Sequence, residues 1–353
     1  MQATRSVKSK LLDFSTALLR LLPAELAHDI GMTAMKQPVF TRLLPGRMTN
    51  LPTALKTTVP GIGELSHPVA LAAGFDKHAL APFAFAQLGF AALEIGTVTP
   101  RAQSGNPKPR MFRDVENRAI INRMGFNSEG SQTVLERLEQ LNWPYPDVPI
   151  GINVGKNKNT SPEDAPEDFS HGLKTFKSVA DYFVINISSP NTAGLRDLAN
   201  ADFLEILARD NRELLPKMWV KLDPDMPRQI FQDCVATIQE LGYQGLVLSN
   251  THKVSEPEAG GLSGHPLMSL SNRCLEWAYA VHKGELPIIA SGGVLSGLDV
   301  LEKIRRGAHF VQIYSALVYR GPTAVQKILS ELQAEMSLQG IEFLSEARGS
   351  HYD

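Results

Sequence analysis

The stretch Phe183-Val184-Ile185-Asn186-Ile187-Ser188-Ser189-Pro190-Asn191-Thr192-Ala193-Gly194-Leu195-Arg196 decides how the rest of the chain is read. Its first half is aromatic and β-branched, the composition of a strand buried on both faces. Its second half is polar and contains Pro190, which cannot continue a strand. Two amides and several hydroxyls therefore stand where an apolar element opens into a turn. Asn offers a donor and an acceptor and Ser a hydroxyl that can carry a proton, which suits a small, planar, polar ligand. A turn satisfying its own backbone would use the same residues, so the context must decide.

Working outward, the same arrangement recurs. Apolar runs at Pro68–Ala72, Ala91–Ile95, Pro149–Asn153, Tyr182–Ile187, Met218–Lys221, Gly245–Leu248, Pro287–Ala290 and Phe310–Ile313 read as strands. Helical patterns lie between them at Ala79–Leu88, Gln132–Leu141, Met226–Leu241, Asn272–His282 and Gly297–Arg306. Eight strands alternating with helices predict a closed (β/α)8 barrel. Lys77, Thr97, Asn153, Asn186, Ser189, Lys221, Asn250 and the pair Gly292-Gly293 all fall at strand C-terminal ends, the face on which such barrels carry their sites.

The connection after the second strand is long. Pro109–Asp114 and Ala119–Asn122 read as an antiparallel pair within it, followed by Arg123-Met124-Gly125-Phe126-Asn127. Long connections on this face serve as lids or supply ligands. Ser291-Gly292-Gly293 and Tyr314-Ser315 follow strands seven and eight, where barrels commonly hold a phosphate. Gly260–Gly264, after strand six, reads as a further flexible approach. Lys221 could offset negative charge on a reduced isoalloxazine, or simply pair with Asp223. No G-x-G-x-x-G follows a strand, so no dinucleotide-binding domain is expected.

The chain has 353 residues, 43% hydrophobic and 20% charged, enough for one large core. Its net charge of −2 gives no footing for a nucleic-acid partner. Cys234 and Cys274 show neither C-x-x-C nor metal-ligand spacing and read as buried thiols, so no metal or iron–sulfur site is expected. Residues 1–50 differ from the rest, with seven Lys or Arg against three Asp or Glu. Leu11, Leu12, Phe14, Leu18, Leu19 and Leu22 recur at helical spacing up to Pro23, and a second helix is expected from about Ala24 to Met35. Nothing there is long enough to span a bilayer. A basic, leucine-rich helix pair either lies in a membrane interface or caps the barrel. His28 would stand at its polar end.

Ala72-Ala73-Gly74-Phe75-Asp76-Lys77, Glu94–Pro100, Asn122–Asn127, Gly151–Lys158, the opening stretch, Gly260–Gly264 and Val311–Ser315 together resemble dihydroorotate dehydrogenases, in the family's order from about residue 60 to 320. Ser189 and the N-terminal helices resemble class 2, the quinone-dependent members. The resemblance implies FMN held by Ala73, Gly74, Phe75, Asp76, Lys77, Thr97, Asn153, Asn186, Lys221, Ser249, Gly264, Gly293, Tyr314 and Ser315. It implies dihydroorotate, and orotate after oxidation, held by Lys77, Asn122, Arg123, Met124, Gly125, Phe126, Asn186, Asn191, Asn250 and Thr251. Ser189 would be the base and hydride would pass to flavin N5; the hydroxyl three residues on from Ser189 suggests that Thr192 and an ordered water relay the proton outward. Electrons would leave to a membrane quinone near His28, with no iron–sulfur partner subunit.

The implied organisation is a helical membrane and quinone-access extension over 1–50, the FMN-binding barrel over 51–336 and a tail over 337–353. The implied location is peripheral, at the cytoplasmic face of a bacterial inner membrane. Ser249, Asp223, His265 and Ser291 depart from the usual family residues without removing a required chemical group. The alternatives are another flavin barrel such as a tRNA dihydrouridine synthase, or a non-catalytic barrel that binds a phosphate ligand.

Overall fold

The structure is a computed structural model, and it describes residues 16–41, 44, 46–48, 51–145, 147–189, 191 and 195–353. The expectations for Leu11, Leu12, Phe14 and Thr192 lie outside those residues.

Eight parallel strands close the predicted barrel: β1 (Val69–Leu71), β2 (Leu93–Val98), β3 (Ile150–Val154), β4 (Tyr182–Asn186), β5 (Met218–Lys221), β6 (Gly245–Leu248), β7 (Ile288–Ser291) and β8 (Phe310–Ile313). Each pairs with its sequence neighbours, and β8 pairs with β1. Every residue of these strands is buried, which explains their nearly continuous apolar runs.

Side-chain alternation explains how an apolar barrel acquires a polar mouth. Tyr182, Val184, Trp219, Val247, Ile289 and Phe310 form one apolar cluster, joined by Val59 and Leu65 of the short hairpin that precedes β1. Two residues further along the same face come Asn186 after Val184, Lys221 after Trp219, Ser249 after Val247, Ser291 after Ile289 and Gln312 after Phe310. The polar layer is thus in phase with the core beneath it. Small residues admit the large ones: a Cβ on Gly151 would come within 2.1 Å of the Tyr182 ring, and one on Gly245 within 2.5 Å of Trp219.

Several boundaries differ from expectation. β2 begins at Leu93 and runs through Gly96 and Thr97 to Val98, because Gly96 pairs with Asn153 and Val98 with Val154 across a bulge. The helix expected from Ala79 begins at Pro82. The Asp76 carboxylate accepts from Leu80 and Ala81 N–H at 2.7 and 2.8 Å and holds the preceding turn, and Pro82 then starts the helix without needing a donor. The helix expected from Asn272 already begins at Met268.

The largest difference is Gly260–Gly264, which is a strand and not a loose approach. It pairs antiparallel with Ala119–Asn122 on one side and His252–Val254 on the other, while Met111–Asp114 pairs with Ala119–Asn122 as expected. The result is a four-stranded antiparallel sheet built from the connections after β2 and β6. Those two strands stand opposite one another in the eight-membered ring.

The helix Ala24–Met35 forms as expected, with residues 16–19 also helical. Ion pairs fasten it to this sheet: Glu25 meets Arg110 at 3.0 Å and Lys108 at 3.1 Å. Arg113 donates to the carbonyls of Arg20, at 2.7 Å, and Leu22. Leu18, Leu21, Leu26, Ile30 and Val39 remain exposed here. Among the described residues, no helix is long and apolar enough to cross a membrane. After the helix Ala324–Leu338 the chain returns to the outer ring, where Tyr352 stacks on Tyr279 at 3.7 Å.

Candidate active site

A cleft opens at the C-terminal ends of the barrel strands and encloses about 1110 Å³, open solvent included. Ala73, Gly74, Lys77, Thr97, Asn122, Met124, Gly125, Phe126, Asn186, Ser189, Asn191, Lys221, Ser249, Asn250, Thr251, Gly264, Gly293, Tyr314 and Ser315 all line it. Residues spread over some 240 positions of sequence thus meet at one mouth.

Five of the residues singled out from the sequence stand back from the cleft wall. Asn153 lies fully buried beneath it and accepts from Thr97 Oγ1 at 2.5 Å and from Asn186 Nδ2 at 3.1 Å. Asp76 braces the turn described above. Phe75 packs its ring against Tyr314 at 5.0 Å and His28 at 5.2 Å. Arg123 pairs with Glu258 at 2.9 Å and lies over the Phe112 ring. His28 packs on Phe75, whose ring in turn packs on Tyr314 at the cleft wall. Burial holds its imidazole down at about 4, with Lys77 adding to the effect, so it is neutral near pH 7.

The amides form a connected set. Asn186 Oδ1 accepts from Ser188 Oγ at 3.0 Å and Asn250 Nδ2 at 3.3 Å. Asn191 Nδ2 donates to the Asn122 carbonyl at 3.1 Å, joining the Ser189 turn to the sheet above the mouth. Ser189 is buried, and its Oγ accepts from Asn191 N–H at 3.3 Å. No histidine lines the cleft among the described residues.

Two amines face this space. Burial lowers Lys77 to about 8, with Arg110 adding to the shift. Lys221 is lowered by burial as well, opposed by the charge of Glu94. Neither side chain makes a hydrogen bond or ion pair among the described residues. The alternative pairing of Lys221 with Asp223 is not formed. Asp223 instead meets Arg196 Nε at 2.7 Å, and burial raises its carboxyl to about 6. Two amines that make no hydrogen bond or ion pair among the described residues, beside serines and glycine backbone, fit a planar cofactor bearing a phosphate and a ring that gains negative charge on reduction.

Ser291 and Gln312 also line the cleft. Sequence reasoning passed over Gln312 as a site residue, although its position two residues after Phe310 carried the signal. Elsewhere, Cys234 and Cys274 are buried thiols, pushed up to about 12 by desolvation. Among the described residues, no group of three or more His, Cys, Asp or Glu could hold a metal.

A parallel barrel whose mouth joins amines, amides and a buried serine around one cleft defines an α/β-barrel enzyme for a small polar substrate. Residues 54–336 match the family model described as dihydroorotate dehydrogenase. The chain is 40% identical over 355 residues to the mitochondrial dihydroorotate dehydrogenase (quinone) of Mus musculus, covering 94% of this chain and 88% of that one. It is also 40% identical over 356 residues to the dihydroorotate dehydrogenase (quinone) of Rhodopseudomonas palustris strain HaA2, covering 96% and 95%. The crystal structure of DHODH from Eimeria tenella in complex with ferulenol superposes with a TM-score of 0.86 at 36% identity, covering 93% of this chain and 95% of that one. The chain belongs to the dihydroorotate dehydrogenase family. It is an oxidoreductase that converts dihydroorotate to orotate on the route to pyrimidines, in a family that works with a flavin.

Proposed function

We propose that this enzyme uses FMN as its flavin, Ser189 as its base and a membrane quinone as its final electron acceptor. The convergence of Ser189, the two unpaired amines and four asparagines on one cleft carries this reading. FMN, when bound, supplies the acceptor for the hydride leaving C6 of dihydroorotate. The chain does the rest. Gly264, Gly293 and Ser315 offer a phosphate-sized edge at the β6 to β8 side, and Lys221 places a cation at the mouth's inner layer. Asn122, Asn186, Asn191 and Asn250 match the donors and acceptors of the substrate's ureide edge.

Ser189 Oγ takes the C5 proton as its own hydroxyl proton passes outward to solvent. An alcohol is a weak base unless something stabilises its anion, and the Asn191 N–H stands at 3.3 Å to do so. Outside the cleft, the proposed quinone mouth is the extension over 1–50, with its exposed leucines, its neutral His28 and the aromatic path from Phe75 to Tyr314. On this reading the enzyme works at the surface of a bacterial inner membrane, on the cytoplasmic side, with 51–336 as the catalytic barrel and 337–353 as a tail. The quinone-dependent names of the relatives support a quinone as the acceptor.

The direct test is anaerobic titration with dihydroorotate, followed by a quinone. The flavin absorbance should bleach and then return. A flavin that stays oxidised at saturating dihydroorotate defeats the reading.

The Lys77 amine gives a pH dependence. Binding of the orotate carboxylate favours the ammonium form, so it raises the lysine's proton affinity. Below about 8 the ammonium is already present in the free enzyme. Above it, binding must take up a proton, and the orotate Kd should rise by up to about tenfold per pH unit. Flavin difference spectra between pH 7 and 9.5 measure it, and Lys77→Met should flatten the slope.

A further inference from the structure

The buried carboxylate of Glu94 has no place in the chemistry above, yet it sits at the root of the amide network. We propose that Glu94 is a positioning residue that fixes the sense of the amide chain reaching the substrate and holds a buried negative charge beneath the cleft. The inference rests on the reading of the cleft as the flavin and dihydroorotate site.

Glu94 lies on β2 in the barrel interior and is fully buried. Both of its oxygens are used. Oε1 accepts from Asn153 Nδ2 at 2.7 Å, and Oε2 accepts from Gln312 Nε2. A carboxylate in this position only accepts. Asn153 must therefore turn its nitrogen down to Glu94 and its oxygen up. That oxygen receives Thr97 Oγ1 and Asn186 Nδ2. Asn186, with its nitrogen spent on Asn153 and on Thr97 Oγ1 at 2.9 Å, must present its oxygen upward. There it receives Ser188 Oγ and Asn250 Nδ2. Asn250 in turn accepts Thr251 N–H at 2.8 Å. The backbone donors of Ser188 and Thr251 agree with this sense at the upper end, and Glu94 is the anionic anchor at the lower one.

Gln312 obeys the same rule. Its nitrogen is held by Glu94, so its Oε1 is left as a buried acceptor without a hydrogen-bond partner. A primary amide in place of Glu94 has one acceptor oxygen, so it could accept from Asn153 or from Gln312 but not from both, and one of the two would have to reverse or lose its bond. The second consequence is electrostatic. Glu94 is the acidic group acting on Lys221, and that amine has no other partner among the described residues. Removing the anion leaves the ammonium uncompensated beside a ring that gains charge on reduction.

The test is Glu94→Gln in the FMN-loaded, full-length enzyme, read by bound FMN per chain, by orotate Kd from flavin spectra and by the midpoint potential of the bound flavin. FMN should remain. The orotate Kd should rise about tenfold. The potential should move upward by about 30 mV, which is a tenfold change in favour of the reduced form for a two-electron couple. A folded E94Q enzyme with wild-type Kd and potential overturns the inference. Because the exchange is buried, the volume-conserving double variant E94Q/Q312E covers the case in which E94Q does not fold. It keeps one buried carboxylate, which turns the nitrogen of the amide at position 94 toward itself and its oxygen toward Asn153, so the sense of the chain is restored. Orotate binding and the potential should both return toward wild type. A folded double variant that still binds orotate weakly would show that the sense of the amide chain does not depend on this anion and would overturn the proposal. Failure of dihydroorotate to bleach the wild-type flavin is a different result, and it strikes the reading of the cleft itself.

Discussion

Replacing Ser189 by alanine is expected to slow flavin reduction by dihydroorotate about 10²–10⁴-fold, the usual contribution of a positioned general base. Bound flavin should be unchanged, because among the described residues the change removes one hydrogen bond of the Ser189 side chain, the one accepted from Asn191 N–H. The orotate Kd should move little, since the four asparagines remain. Stopped-flow absorbance under anaerobic conditions separates these quantities. A substrate deuterated at C5 adds a second reading, because its isotope effect should grow as proton removal becomes harder. A Ser189→Ala enzyme that is reduced at the wild-type rate would sink the assignment of Ser189 and move the base to another group of the cleft, such as the Lys77 amine.

The second large effect concerns residues 1–50. Deleting them should abolish quinone reduction and binding to phospholipid vesicles, while dihydroorotate still bleaches the flavin. The helix Ala24–Met35 is attached through Glu25 to Arg110 and Lys108, and through the carbonyls of Arg20 and Leu22 to Arg113. It contributes no strand to the barrel. Its removal therefore leaves the cleft's polar layer intact but strips the exposed leucines and His28 from the path that leads to Phe75 and Tyr314. Full quinone turnover by the truncated enzyme would place electron exit elsewhere. His28→Ala in the complete chain is the milder version, with a raised KM for quinone and an unaltered first half-reaction.

The barrel was legible because its signals are local. Alternation within β4 and β5 places Asn186 and Lys221 on the inner face whatever else the chain does, and the helix Ala24–Met35 follows from spacing and from Pro23. What escaped is long-range pairing. Gly260–Gly264 carries almost no β-branched residues, and its partner Ala119–Asn122 lies about 140 positions away. Nothing local distinguishes such a strand from a mobile loop. Glu94 and Gln312 are likewise 218 positions apart, and their bond exists only because β2 and β8 flank β1 in the closed ring. The early ending expected for β2 has the same origin, since Gly96 and Thr97 read as a turn until Asn153 is placed beside them.

The antiparallel sheet above the mouth has a mechanical consequence. Its strands leave the ring at opposite points of its circumference, so the sheet is a crossbar riveted at both ends. Gly264, proposed for the phosphate edge, and Asn122, proposed for the substrate, lie on adjacent strands of that bar. A nick or a destabilising change on either arm should therefore slacken both grips together, and heating should release cofactor and abolish orotate recognition in a single step.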